Sequence, residues 1–231
     1  MKKVPIGVVG AISPFNFPLN LVCHKVAPPI AAGCPVVLKP ASATPLTAIR
    51  LAEVLLEECG LPSGWLNVVT CPGSTAAHLV EHGDVAMITF TGSPPVGWNI
   101  RATAPHKKVS LELGNNSPIV VEPDVDPLIA ASKLKVAAFG YAGQTCISTQ
   151  RIYVHEDIAT KFTEAMADQA RSLVSATRPT PHRSVLAHRR RRDRARRRRG
   201  RRGDGRRASS FAAAMVEACC LQRSCLMSKA T

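Results

Sequence analysis

Long hydrophobic runs are missing from this 231-residue sequence. Pro, Gly or Lys interrupts each apolar stretch well before the ~18–20 residues that a membrane helix needs, so no membrane span is expected. The opening Met1-Lys-Lys-Val-Pro-Ile-Gly7 has no unbroken apolar core and no small-residue cleavage site, so no signal peptide is expected either. None of the eight cysteines (23, 34, 59, 71, 146, 219, 220 and 225) forms a C-x-x-C pair. No Cys/His grouping has zinc-ligand spacing, and no metal is expected. Without a secretory leader, the thiols are expected to be reduced in the cytoplasm and mostly buried as small apolar side chains. The glycine fingerprint G-x-G-x-x-G of many dinucleotide sites is also absent.

What is present is a neutral body joined to a basic tail. Residues 1–177 carry thirteen basic and thirteen acidic side chains, whereas residues 178–231 carry seventeen and three, which is the whole of the +14 net charge. At 45% hydrophobic, the chain has enough apolar material for a core. Residues 178–207 hold fifteen arginines and no apolar period, and residues 210–221 have some helical character without a partner. Such a tail is expected to be disordered. An arginine tract binds phosphates through counterion release with little specificity. Residues 178–231 hold one Phe and no Tyr or Trp for base stacking, so no specific nucleic-acid partner is expected.

From residue 4 to about 173 the pattern alternates strand and helix. Strands are expected at 4–12, 35–39, 66–70, 85–91, 108–113, 118–121 and 151–155. Helices are expected at 19–32, kinked or shortened by Pro28-Pro29, and at 44–59, 74–82, 94–102, 126–139 and 157–173. Thr44 is placed to cap the second helix, and Gly60 to stop it. Near-continuous apolar strands alternating with helices imply an α/β fold, a parallel sheet covered by helices on both faces. Ligands in such sheets bind beyond the carboxyl ends of the strands.

Three loops after predicted strands carry chemistry. In Ile12-Ser-Pro-Phe-Asn-Phe-Pro18, Asn16 is an amide in a stiff loop, suited to donate to a developing oxyanion or to serve as a turn residue. In Thr89-Phe-Thr-Gly-Ser-Pro-Pro-Val-Gly97, a strand enters a Gly/Ser turn and a helix, whose N-terminus attracts phosphate. In Gly143-Gln-Thr-Cys-Ile147, Cys146 has a polar, flexible setting that suits a nucleophilic thiolate or an ordinary loop thiol. Glu112, in Leu111-Glu-Leu-Gly114, is a carboxylate at an apolar strand end. There it is either desolvated toward general-base duty or set on an exposed edge.

Together, Pro14-Phe-Asn-Phe-Pro18, Lys39-Pro-Ala-Ser42, Phe90-Thr-Gly-Ser93 with Val96-Gly97, Leu111-Glu-Leu-Gly114 and Gly143-Gln-Thr-Cys146 resemble the NAD(P)-dependent aldehyde dehydrogenases in order and spacing. The resemblance runs from about residue 4 to 174. It implies a Rossmann-like cofactor domain over 1–113, the first part of an α/β catalytic domain over 114–174, and a tail at 175–231 outside the family pattern. It also implies roles. Cys146 attacks a small-molecule aldehyde, Asn16 and the Cys146 backbone N–H hold the oxyanion, and Glu112 activates the water that hydrolyses the thioester. NAD or NADP is implied at Ser13, Pro14 and Phe15, with Lys39 and Ser42 at the adenosine ribose. Gly92, Ser93 and Val96 fall at the pyrophosphate and adenine, and Gly73, Leu113 and Gly114 complete the cofactor-binding set.

Where many relatives carry a glutamate three residues after the lysine, this chain has Ser42. That implies NADP+ accepted at least as well as NAD+, with the hydroxyl donating to a 2′-phosphate. The family's homo-oligomer-forming segments and its Glu-Glu-x-Phe-Gly-Pro motif do not occur in this sequence, and the alternative function is a fragment that binds nucleotide without turnover. Relatives often continue after the last helix with Val-Gly-Asp-Pro-Thr-Asp-Pro. GC-rich codons for that stretch, read one base on, give Ser-Ala-Thr-Arg-Pro-Thr-Pro, which is residues 175–181. A reading-frame slip near Val174 is the expected origin of the tail.

Overall fold

The computed structural model describes residues 4–173; the tail and the helical character at 210–221 lie outside the described residues. The chain divides between Gly114 and Asn115 into two compact units.

In the first unit, β1 (Val8–Ile12), β2 (Val36–Lys39), β3 (Leu66–Val68), β4 (Val85–Thr91) and β5 (Lys108–Glu112) form one parallel sheet in the order β3-β2-β1-β4-β5. Between them run α1 (Asn20–Ala31), α2 (Leu46–Glu53), α3 (Ala77–Glu81) and α4 (Pro94–Thr103). Side chains alternate across a strand, so β1 sends Val9 and Ala11 to one face and Ile12 to the other. The first pair packs with Val36 and Leu38 against Val22 and Val26 of α1 and Ala48 and Ala52 of α2. Ile12 joins Ile88 and Phe90 against Val80 of α3 and Ile100 of α4. Helices therefore cover both faces, as the apolar strands require. The register slips once: Val8 pairs with Val85 but Val9 with Met87. Ala86 is the extra residue, which lets Val85 and Ile88, three apart, share one core.

Several boundaries move from their sequence positions. β1 starts at Val8, because Gly7 turns the chain with φ of 117°. The helix expected at 44–59 is α2 followed by a π-helical stretch, Val54–Glu58. Thr44 does not cap it; its hydroxyl donates to the Phe15 carbonyl at 3.4 Å. α1 continues through Pro28 and Pro29 to Ala31, with the carbonyls of His24 and Lys25 losing only the imide donors that proline lacks. The cysteines are less buried than expected. Among the described residues Cys34 is buried, Cys23 and Cys71 are half-buried and Cys59 is exposed, so turn and helix-end positions outweigh side-chain apolarity, whereas the exposure of Cys146 matches its polar loop.

The second unit holds β6 (Pro118–Val121) paired in parallel with β7 (Arg151–Val154), together with α5 (Pro127–Phe139) and α6 (Glu156–Arg171). Ala131 and Leu134 of α5 pack with Phe162 and Met166 of α6 and Val121 of β6. Asp126 caps α5, accepting from the Leu128 N–H at 2.8 Å, and Pro127 occupies the first turn. His155 Nδ1 accepts from the Asp157 N–H at the start of α6, whose first turn holds Glu156 and Asp157 and whose last turn holds Arg171, matching the helix dipole. Among the described residues no helix is long and apolar enough to cross a membrane.

Candidate functional site

Parallel strands direct all their carboxyl ends to one edge of the first unit. The chain steps outward from β1 through β2 to β3, then returns to place β4 on the other side of β1. The crevice beyond the carboxyl ends at such a reversal is where open α/β sheets hold ligands. Ser13, Pro14, Phe15 and Asn16 follow β1. Lys39 ends β2, with Ser42 three residues on, and Gly73 lies in the loop after β3. Gly92, Ser93 and Val96 follow β4, while Glu112, Leu113 and Gly114 close β5. Sequence-predicted residues spread over about a hundred positions thus share one edge.

Hydrogen bonds join neighbouring strand ends. The Ser13 N–H donates to the Lys39 carbonyl at 3.2 Å, and the Gly92 N–H to the Glu112 carbonyl at 3.1 Å. Ser13 and Lys39 are buried, and Asn16 is half-buried with Oδ1 inside the unit. Ser93 caps α4 by position but makes no side-chain capping bond, which leaves its hydroxyl available. Pro94 and Pro95 have no N–H, so Val96 is the first residue of α4 with a backbone donor, and the phosphate attraction of this N-terminus rests on fewer groups than usual. Gly97 packs closely under the Leu113 side chain, whose end would have to shift to admit a Cβ there.

Two of these residues lie on the surface of the first unit. Glu112 is exposed, because β5 is the edge strand and its alternation turns Glu112 outward with Lys108 and Ser110. The first unit does not bury this carboxylate. Ser42 is also exposed, and its hydroxyl donates to the Cys71 carbonyl at 3.1 Å, tying the loop after β2 to the loop after β3. A hydroxyl has one proton. In this arrangement that proton is directed at the Cys71 carbonyl.

Lys25 is the residue that sequence reasoning missed. It is buried on α1 beside Val22 and Val26, and its Nζ donates to Thr89 Oγ1 of β4 at 3.1 Å. Burial pulls its ammonium from 10.5 down to about 8, against the negative charge of Glu112, which acts in the raising direction. The available signal was a lysine at the i+3 position of an apolar helical stripe that starts at Val22.

In the second unit, Cys146 is exposed on the loop between α5 and β7. A short 3₁₀ turn, Gly140–Gly143, precedes it. Buried Ser148 follows, its Oγ accepting from Gln150 Nε2 at 2.6 Å. The motif Gly143-Gln-Thr-Cys146 therefore presents a free thiol to solvent.

The model of the aldehyde dehydrogenase family matches residues 1–198. This chain belongs to the aldehyde dehydrogenase family. Among curated relatives, a 3-sulfolactaldehyde dehydrogenase from Priestia aryabhattai is 55% identical over 173 residues, covering 74% of this chain and 36% of the relative. A phenylacetaldehyde dehydrogenase from Pseudomonas fluorescens is 49% identical over 176 residues, covering 75% and 35%. Among solved structures, a glyceraldehyde-3-phosphate dehydrogenase from Methanocaldococcus jannaschii complexed with NADP matches with a TM-score of 0.71 at 44% identity, covering 74% of this chain and 39% of that one. An NAD-dependent benzaldehyde dehydrogenase from Corynebacterium glutamicum matches with a TM-score of 0.69 at 41% identity, covering 76% and 39%. The chain spans about a third of the length of the curated relatives it matches.

Proposed function

We propose that this chain carries the chemistry for oxidising an aldehyde to a carboxylic acid with NAD+ or NADP+ through Cys146. The observation that carries the reading is the exposed thiol on Gly143-Gln-Thr-Cys146 in a chain of this family. The carboxyl edge of the first unit fits a dinucleotide. Ser13 Oγ is buried with no hydrogen-bond partner among the described residues, and the buried Lys39 brings a positive charge to the adjoining strand end. Lys39 and Ser42 would hold the adenosine ribose, and Gly92, Ser93 and Val96 the pyrophosphate and adenine. Ser13, Pro14, Phe15, Gly73, Leu113 and Gly114 would complete the binding edge. The NADP carried by the Methanocaldococcus neighbour supports the same reading. When bound, the dinucleotide accepts the hydride that the aldehyde carbon gives up.

The chain's own groups do the rest. The Cys146 thiolate adds to the carbonyl carbon, forming a C–S bond while the carbonyl electron pair moves to oxygen. Asn16 and the Cys146 backbone N–H hold that oxyanion, and loss of one such donor typically costs ~3 kcal/mol. Once oxidised, the carbon is held on Sγ as a thioester. Glu112 takes a proton from water as the water attacks, the C–S bond breaks, and the acid leaves while the thiolate returns. The cytoplasmic setting with reduced thiols belongs to the same proposal.

A second reading, dinucleotide binding without turnover, needs only the carboxyl edge of the first unit, where Ser13 and Lys39 are buried. Purified chain with NAD+ or NADP+ and a panel of aliphatic, aromatic and semialdehyde substrates separates the two. Continuous reduction of the cofactor supports the oxidation. Binding without reduction by any aldehyde supports the second reading, and no binding of either dinucleotide overturns both.

A further inference from the structure

The turn ahead of Cys146 departs from ordinary backbone. Tyr141 and Ala142 each have φ of 54°, and Gly143 has φ of 70°, so three successive residues are left-handed. Only glycine enters that region freely, because a Cβ there crowds the following carbonyl. Tyr141 and Ala142 are the only non-glycine residues with positive φ among the described residues, and both lie in the segment leading to Cys146. Backbone of this kind persists only where its surroundings determine it, and it concentrates at functional sites.

The surroundings are visible on both sides of the thiol. The Gln144 N–H donates to the Tyr141 carbonyl at 3.0 Å and closes the turn. Downstream, Ser148 is buried, and the Thr149 N–H donates to the Ala137 carbonyl of α5 at 3.1 Å. The Gln150 N–H donates to the Ser117 carbonyl at 3.2 Å, next to β6. The chain is therefore pinned at 141–143 and again at 148–150. Between the pins Cys146 is exposed and Ile147 is 80% exposed. Right-handed residues after α5 would carry the chain onward around the helix axis. Left-handed residues turn it the opposite way, and the chain can then return to Ala137 with Cys146 and Ile147 on the exposed stretch between.

We infer that Tyr141 and Ala142 are positioning residues, whose left-handed backbone holds the Cys146 thiol on the exposed stretch of its loop. The inference rests on the reading of Cys146 as the nucleophile, and it assigns the strain a purpose in presenting that thiol. Glycine at 142 keeps the left-handed geometry and removes its cost. Valine, β-branched, is expelled from that region, so the turn opens and the thiol loses its fixed presentation.

The test uses the full chain under native conditions with iodoacetamide. Alkylation at Cys146 is followed by peptide mass spectrometry and divided by alkylation at Cys59, an exposed thiol of the first unit. Ala142→Gly is expected to keep this ratio within about twofold and to raise the thermal midpoint. Ala142→Val is expected to lower the ratio roughly fivefold or more. A turn that served stability alone would move the midpoint in both variants and leave the ratio unchanged, and that result overturns the inference. If Ala142→Val does not fold, Tyr141→Val repeats the measurement one residue earlier, with the same fall in ratio expected and an unchanged ratio overturning the inference; for Ala142→Gly, a lowered midpoint or an altered ratio also overturns it. Aldehyde turnover plays no part in this readout, so failure here is distinct from failure of the nucleophile assignment.

Discussion

Lys25→Met should change how the stability of the first unit depends on pH. The wild-type ammonium is buried, and its pKa falls from 10.5 in the unfolded chain to about 8 in the fold. Below pH 8 the lysine is charged in both states, and folding carries the full desolvation penalty. Between pH 8 and 10.5 the unfolded chain still holds a proton that the folded chain has released, so stability rises with pH in that window. Above 10.5 both states are neutral and the penalty is gone. The interval corresponds to about 3 kcal/mol. Methionine matches the aliphatic stem and cannot titrate, although it leaves the Thr89 hydroxyl without the Lys25 donor. That loss is the same at every pH, so the slope and not the offset is the readout. The only two tryptophans, Trp65 and Trp98, both lie in the first unit, and their fluorescence in urea titrations reports its unfolding. From pH 7 to 10, wild type should gain stability relative to Lys25→Met by a large part of that ~3 kcal/mol. Parallel pH profiles for the two proteins would refute a depressed Lys25 pKa.

Three further outcomes follow from the proposed chemistry, each measured on chain that turns over aldehyde or binds cofactor. Cys146→Ser should reduce steady-state oxidation by roughly a thousandfold or more, since a neutral hydroxyl is a far weaker nucleophile than a thiolate; most of the turnover surviving would remove Cys146 from its role. Glu112→Gln should leave a rapid burst of reduced cofactor followed by a slow steady state, because only thioester hydrolysis needs the carboxylate. Loss of the burst along with the steady rate would instead make Glu112 the base that activates the thiol. Ser42→Glu should shift the ratio of NAD+ to NADP+ affinity toward NAD+ by about tenfold or more, through repulsion of the 2′-phosphate. Titration of both cofactors into both proteins measures the ratio, and an unchanged value would take Ser42 out of cofactor selection.

The parts of the site that were legible in the sequence are those set by short-range pattern. Apolar strands at 85–91 and 108–112 and the helix at 94–103 are marked by runs, turns and Pro-Pro at a helix start, all within a few residues of each other. Cys146 is marked by the polar Gly-Gln-Thr before it, and its exposure agrees with that setting. The boundaries that shifted did so for longer-range reasons. Thr44 faces Phe15, twenty-nine residues away, in preference to its own helix.

The sequence by itself determined that strands and helices alternate, that apolar strands demand cover on both faces, and that the motif loops fall at strand ends. Each of these depends on spacings of two to four residues, which the chain carries locally. Only the tertiary structure decided that β1 lies between β2 and β4, so that loops far apart in sequence reach one edge. It alone showed that Glu112 faces outward from an edge strand, that the Ser42 proton is engaged by Cys71, and that Lys25 is buried against Thr89, sixty-four residues on. The left-handed run at Tyr141 and Ala142 belongs with these, since neither residue favours that backbone and the restraints on it come from Ala137 and Ser117. Burial, donor assignment and strain are properties of pairs brought together by strand order and register, and local spacing carries no record of which pairs those are.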